Sequence, residues 1–192
     1  MILVVLALVS ACATLDVSMK PPTFKAEEYV RAACKGLELK ATAIEGADRY
    51  WELFDDYLPE IGIAAVWAVL RNTGDSAIDL SRSKWGLRFH GQICASLSTE
   101  QVFRLYYKRR KIRFFHLETD AQARARFEGS SSLRPVFLPP RGEQAGWLLF
   151  NLSLAPEPDW GRNATLALQD VHFGKDDKAD LILPLNHANT SR

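Results

Sequence analysis

The chain has 192 residues with 24 basic and 23 acidic side chains, a formal net charge of +1. That near-neutrality excludes a general nucleic-acid binder, which needs a strong excess of Lys and Arg. Hydrophobic residues make up 47%, enough for one domain with its own core, since about 150 residues bury roughly 70% of the surface their unfolded chain exposes. No internal repeat, heptad run or low-complexity tract divides the sequence.

The first element is a short apolar run, Ile2 to Val9, followed by Ser10, Ala11 and Cys12. A spanning helix needs about 20 apolar residues, whereas an export signal needs an apolar stretch of about 7–15 before small residues. The segment therefore predicts export. Val9-Ser10-Ala11-Cys12 resembles the lipobox of bacterial lipoproteins, although no basic residue precedes Ile2. The resemblance implies a signal peptide over 1–11 and acylation of Cys12, which becomes the first residue of the mature chain. It places the protein in the cell envelope, lipid-anchored on the periplasmic face. Ala13, standing where an Asp would retain the protein at the inner membrane, favours the outer one. Residues 12–35 are then the lipidated N-terminus and tether, with Pro21-Pro22 among the stretch that has least reason to fold.

Leu37, Leu39, Ala41 and Ala43 alternate with polar residues and predict a half-buried strand. Trp51, Phe54 and Leu58 suit one helical face, or equally an extended connection ending at Pro59. Ile61 to Leu70 is nearly all apolar and predicts a central strand buried on both faces. A turn over Asn72-Thr73-Gly74-Asp75 and strands at 77–80 and 85–89 follow, which predicts antiparallel pairing of the three. Ser98 and Gln101 form a capping box ahead of a helix from about Thr99 to Arg110. Thr119 and Gln122 repeat the pattern before a shorter helix that Gly129 can end. Strand signals resume at 133–138, 146–154, 164–171 and 181–185.

Strands early, strands late and helices between predict a mainly β chain: an antiparallel β-sandwich over 36–186 with a helical insertion at 98–129. Gly62-Ile63 through Val66 and Val69, then Asn72, Gly74-Asp75 and Ile78, resemble the strand-turn-strand of immunoglobulin-like domains in exported bacterial proteins. Gly146-Trp147-Leu148-Leu149-Phe150, behind its proline-rich approach, resembles a late strand of such domains. This likeness implies a fold and no catalytic residue, and the antibody-type Cys–Trp–Cys spacing is absent.

Cys34 and Cys94 remain after Cys12. In an oxidising periplasm they suit one disulfide, in a cytosol two buried thiols. Neither lies at metal-ligand spacing from a His or Cys, so no metal is expected, nor any cofactor. His90, His116, His172 and His187 are scattered, and Asp55-Asp56 and Asp176-Asp177 read as exposed turns. No nucleophile elbow, phosphate loop or His-Glu-x-x-His occurs. The basic run Arg104, Lys108, Arg109, Arg110, Lys111 and Arg113 is either an anion contact or a solvated face balanced by nearby acids. Trp51, Trp67, Trp85 and Trp147 suit packing, and Trp160, in a loop, suits a tucked anchor or else an exposed contact for glycan or membrane. These features predict a non-enzymatic binding or scaffolding role at the envelope. The partners are the membrane, an envelope protein or an anionic glycan, and not nucleic acid. An alternative is a module that binds an anionic lipid headgroup or acidic glycan through the basic helix. An envelope enzyme would need His90, His116 or His172 to converge with carboxylates in a cleft.

Overall fold

The computed structural model describes residues 21–54, 56–110, 133, 136–152, 159–174 and 177–186. They are mainly β, in two antiparallel sheets. The first sheet contains β1 (Val30–Cys34), β2 (Leu37–Ala43), β3 (Ile63–Asn72) and β8 (Glu143–Asn151) in the order β1-β2-β3-β8. In the second, β9 (Ala164–His172) pairs with β10 (Lys178–Pro184) along one side. Along its other side runs β5 (Lys84–Phe89), with β4 (Ile78–Asp79) continuing the same line. Beyond that line β6 (Gln92–Ala95) pairs with β5, and β7 (Phe137–Leu138) with β4.

Alternation decides which side chains meet between the sheets. Leu37, Leu39 and Ala41 of β2, Val66, Ala68 and Leu70 of β3, and Leu148 and Phe150 of β8 face Trp85, Leu87, Leu166, Leu168, Leu181 and Leu183. The other face of the first sheet carries a second apolar cluster. There Ile63, Ala65, Trp67, Trp147 and Leu149 are covered by Tyr50, Leu53 and Phe54 of α1 (Ala47–Phe54) and by Val102 and Phe103 of α2 (Thr99–Arg110). The helices make a third layer, which is why β3 is apolar on both faces.

Several sequence expectations need correction. The tether drawn to residue 35 includes β1, whose residues pair with β2 from Val30↔Ala41 to Cys34↔Leu37. The intervening Lys35-Gly36 turn has positive φ at both positions, the conformation a two-residue hairpin demands. β3, β4 and β5 do not pair with one another. The turn after β3 instead carries the chain from one sheet to the other. Asn72, 1% exposed, fixes that crossing: its Nδ2 donates to the carbonyls of Ser76 (2.8 Å), Leu138 (3.3 Å) and Pro139 (3.0 Å). Its Oδ1 accepts from the Gly74 N–H at 2.9 Å. Of the stretch at 51–58, residues 51–54 end α1 and Leu58 opens a separate 3-10 turn, Leu58–Ile61; α1 buries Tyr50, Leu53 and Phe54 and leaves Trp51 54% exposed, so Trp51 is not a packing residue. The second helix expected after Thr119 lies outside the described residues.

Candidate functional site

α2 is the element on which the sequence concentrates its charge. The capping box forms as expected: Ser98 N–H donates to Gln101 Oε1 at 2.7 Å, and Gln101 N–H donates to Ser98 Oγ at 3.1 Å. With its first turn satisfied, the helix lays Val102 and Phe103 on the first sheet. Arg104 and Lys108 face solvent on the opposite side, Arg104 donating through Nε to Glu100 Oε1 at 2.8 Å, one turn earlier.

Arg109 does something else. Its guanidinium donates to the Ile61 carbonyl and, at 3.3 Å, to Asn151 Oδ1. Gly62 makes room for it. At φ 69°, a Cβ there would come within 2.6 Å of the guanidinium and 2.7 Å of the Leu152 carbonyl. Arg109 therefore pins the end of α2 to the sandwich and is not a free anion contact. The helix bounds include Arg110, whereas Lys111 and Arg113 lie outside the described residues. Of the basic run, Arg104 and Lys108 form the described exposed stripe.

The disulfide expectation is overturned. Cys34 and Cys94 are free. Cys34 lies on β1, at the edge that β1 shares with β10, and Cys94 lies on β6, at the edge that meets β8. β1 and β8 stand three strand spacings apart, about 14 Å, far beyond the Cα separation of about 4.4–6.8 Å that a bridge needs. Burial pushes the Cys94 thiol up, keeping it protonated.

The histidines do not converge either. His90 follows β5 at the end of the second sheet where Phe89 pairs with Ala164, while His172 is at the other end of β9, opposite Asp79. His116 and His187 lie outside the described residues. Among the described residues no group of three or more His, Cys, Asp or Glu side chains is placed to hold a metal. Of the carboxylate pairs, Asp56 is buried and accepts from the Tyr57 N–H at 2.7 Å, and Asp177 pairs with Lys35. Asp55 and Asp176 lie outside the described residues. Asp79 is held below the usual carboxylate range by the Ser81 hydroxyl and N–H. Burial pushes the Tyr50 phenol far up, and its hydroxyl accepts from the Ala65 N–H at 3.1 Å, so Tyr50 acts as a structural acceptor beneath α1.

No protein-family model matches the chain, and no curated protein matches it. Among solved structures it is similar to a functionally unknown protein from Listeria monocytogenes EGD-e, at 10% identity over 82% of each chain with a TM-score of 0.41. Among the described residues no helix is long and apolar enough to cross a membrane.

What the sequence missed is the seat of Arg109. A glycine just before an apolar strand, with an arginine far along the chain, carries no local signal of their meeting. The tryptophans were more legible: Trp67 and Trp147 pack at a ring separation of 4.9 Å, and Trp160 is tucked away at 1% exposure.

Proposed function

We propose that the chain is a bacterial envelope lipoprotein, acylated at Cys12, whose body is an immunoglobulin-like sandwich with a non-enzymatic binding or scaffolding role. The observation that carries this reading is the apolar run Ile2 to Val9 ending at Ser10-Ala11-Cys12, and where the chain enters the body says which end such an anchor would hold. The first described residues run through Phe24 and a 3-10 turn at Ala26–Glu28 beside Thr42 and Arg49. That is the end of the first sheet where β2 finishes and β3 begins. Nine peptide units separate Cys12 from Pro21, a reach of about 30 Å at full extension. An acylated Cys12 would hold that end near the bilayer and turn the opposite end outward.

The decisive test is fatty-acid labelling in a bacterial host, comparing the parent chain with Cys12→Ser. Label on the parent and none on the variant is the expected result. Absence of label on the parent, with protein in the cytosol, would overturn anchoring and localisation together.

A second reading, a contact with anionic headgroups or acidic glycan through the basic end of α2, is favoured by position. Arg109 ties that end of the helix to Ile61 and Asn151, at the end of the sandwich where the chain enters. Basic residues beside an anionic surface contribute about 1 kcal/mol each. Reversing Lys108, Arg110 and Lys111 to Glu, with Arg109 kept for its structural role, should lower retention of a Cys12→Ser chain on anionic vesicles at least about tenfold. Unchanged retention would remove this reading.

A further inference from the structure

The helical layer that covers the first sheet has a bare outer face. α1 lays Tyr50, Leu53 and Phe54 on the sheet and turns Asp48, Trp51 and Glu52 away from it, all three exposed. α2 lays Val102 and Phe103 on the sheet and turns Arg104 and Lys108 away, both exposed. The charge is segregated between the helices, with acids outward on α1 and bases outward on α2. Each pair is spaced i, i+4, so the two carboxylates and the two cations stand about 6 Å apart along their helices.

Position makes these patches complementary to each other in a second copy. α1 begins on the β2 side of the layer, where Arg49 bonds Glu28 and the Glu28 carbonyl accepts from Thr42. α2 begins on the β8 side, where Leu97 N–H donates to the Leu149 carbonyl at 2.7 Å. A two-fold axis parallel to the strands therefore exchanges the sides and sets α1 of one copy against α2 of the other, twice. Within one chain these charges are only partly used. Arg104 bonds Glu100 through Nε, which leaves its terminal nitrogens to donate, and Glu52 bonds Arg49 through one oxygen. Trp51, 54% exposed, adds a ring on which a guanidinium can stack. With a net charge of +1, whole copies have little repulsion to overcome.

We infer that this face pairs with the same face of a second copy, α1 against α2, with Trp51 beneath the partner's Arg104. Trp and Arg are the residue types that dominate binding energy at such contacts. α2 is 12 residues long, and two helices side by side cover roughly 18 by 20 Å, about 360 Å². That is about half of the ~800 Å² per partner of a standard interface, so the pair is a weak one, with a Kd on the order of 100 μM. The same axis leaves both chain-entry ends pointing one way. Two anchored copies would thus pair within one bilayer at a raised effective concentration. The inference itself rests on the body and not on the lipid anchor.

The test is sedimentation equilibrium of the full chain carrying Cys12→Ser, in reducing buffer so that Cys34 and Cys94 cannot link copies. Two charge variants are compared with it: Asp48→Lys with Glu52→Lys, and Arg104→Glu with Lys108→Glu. The parent should dimerise at low ionic strength and weaken at least about tenfold in about 1 M salt, where the Debye length is about 3 Å. Trp51→Ala should weaken it at least about tenfold. Each charge variant should be monomeric alone. An equal mixture of the two should form a 1:1 heterodimer, because the new bases of one meet the new acids of the other. All the altered side chains are exposed, and thermal melting checks that the variants fold. A parent that stays monomeric to about 1 mM, a charge variant that dimerises alone, or folded variants that fail to associate when mixed would each overturn the inference. None of these outcomes bears on acylation of Cys12, so the anchor and the dimer stand or fall separately.

Discussion

Trp160→Ala should cost about 3–5 kcal/mol, the cost of deleting a buried Trp side chain. The indole is 1% exposed and packs within the core between the sheets, with Phe89 at a ring separation of 6.4 Å. Its Nε1–H donates to the Ile44 carbonyl at 2.9 Å, which ties the turn before β9 to the chain leaving β2. The neighbouring Gly161 N–H adds a bond to Glu45 Oε1 at 2.9 Å, in a space so close that a Cβ would meet Ala43 Cβ at 2.7 Å. Removing the ring thus opens a cavity and leaves a buried carbonyl without its donor. A domain of this size has about 5–15 kcal/mol in total, so the urea midpoint should fall steeply with the slope unchanged. Trp160→Phe separates the two contributions: it keeps most of the volume and should lose about 1–3 kcal/mol for the orphaned carbonyl. A Trp160→Ala midpoint equal to that of the parent would mean the two sheets are not joined here.

Asn72→Ala should be of similar size, about 3 kcal/mol, although it removes little volume. One amide side chain serves three carbonyls and one N–H in a nearly solvent-free place. Each buried polar atom left unpaired costs about 1–3 kcal/mol. Asn72→Asp offers a sharper readout. It retains the acceptor for Gly74 but turns a carboxylate towards three carbonyl oxygens, so the folded state raises the acid's pKa above its unfolded value of about 3.9. Below that value the acid is protonated in both states and adds no pH-dependent loss. The loss then grows as the pH rises through the interval up to the raised folded value. Thermal melts of Asn72→Asp should therefore approach the parent near pH 4 and fall away from it towards pH 8. A pH-independent difference would place residue 72 in contact with water.

Sheet content was legible because it depends on local period. The alternation of 37–43, the unbroken apolar run of β3 and the late strands needed nothing beyond side-chain order. The capping box of α2 is local in the same sense, four residues that satisfy one another. What escaped depends on partners far along the chain. β1 reads Val-Arg-Ala-Ala-Cys, too weakly alternating to announce a strand, although Lys35-Gly36 was a usable turn signal. β6 follows His90-Gly91, both at positive φ, another two-residue turn that the sequence offered. Pairing of β3 with β8, rather than with β4 or β5, could not be read, because the crossing depends on Asn72 finding Leu138 and Pro139. The cysteines failed for the same reason: two leftover thiols suggest a bridge only until the topology sets them at opposite edges. The basic run was visible as composition, but only the fold separates Arg109, which holds the helix down, from Lys108, which faces water.

β3 also constrains how the molecule can be assembled. One neighbour, β2, is the strand before it, with α1 in the connection between them, whereas the other, β8, comes only in the last third of the chain. Pairings so distant in sequence are slow to form. Until β8 arrives, β3 has one open edge and two apolar faces, the features that template strand-to-strand aggregation. A chain cut short before Glu143 would be left with that surface permanently uncovered. For such a fold, solubility is a property of the completed chain, and any passage through an unfolded state needs β3 shielded until its late partner is present.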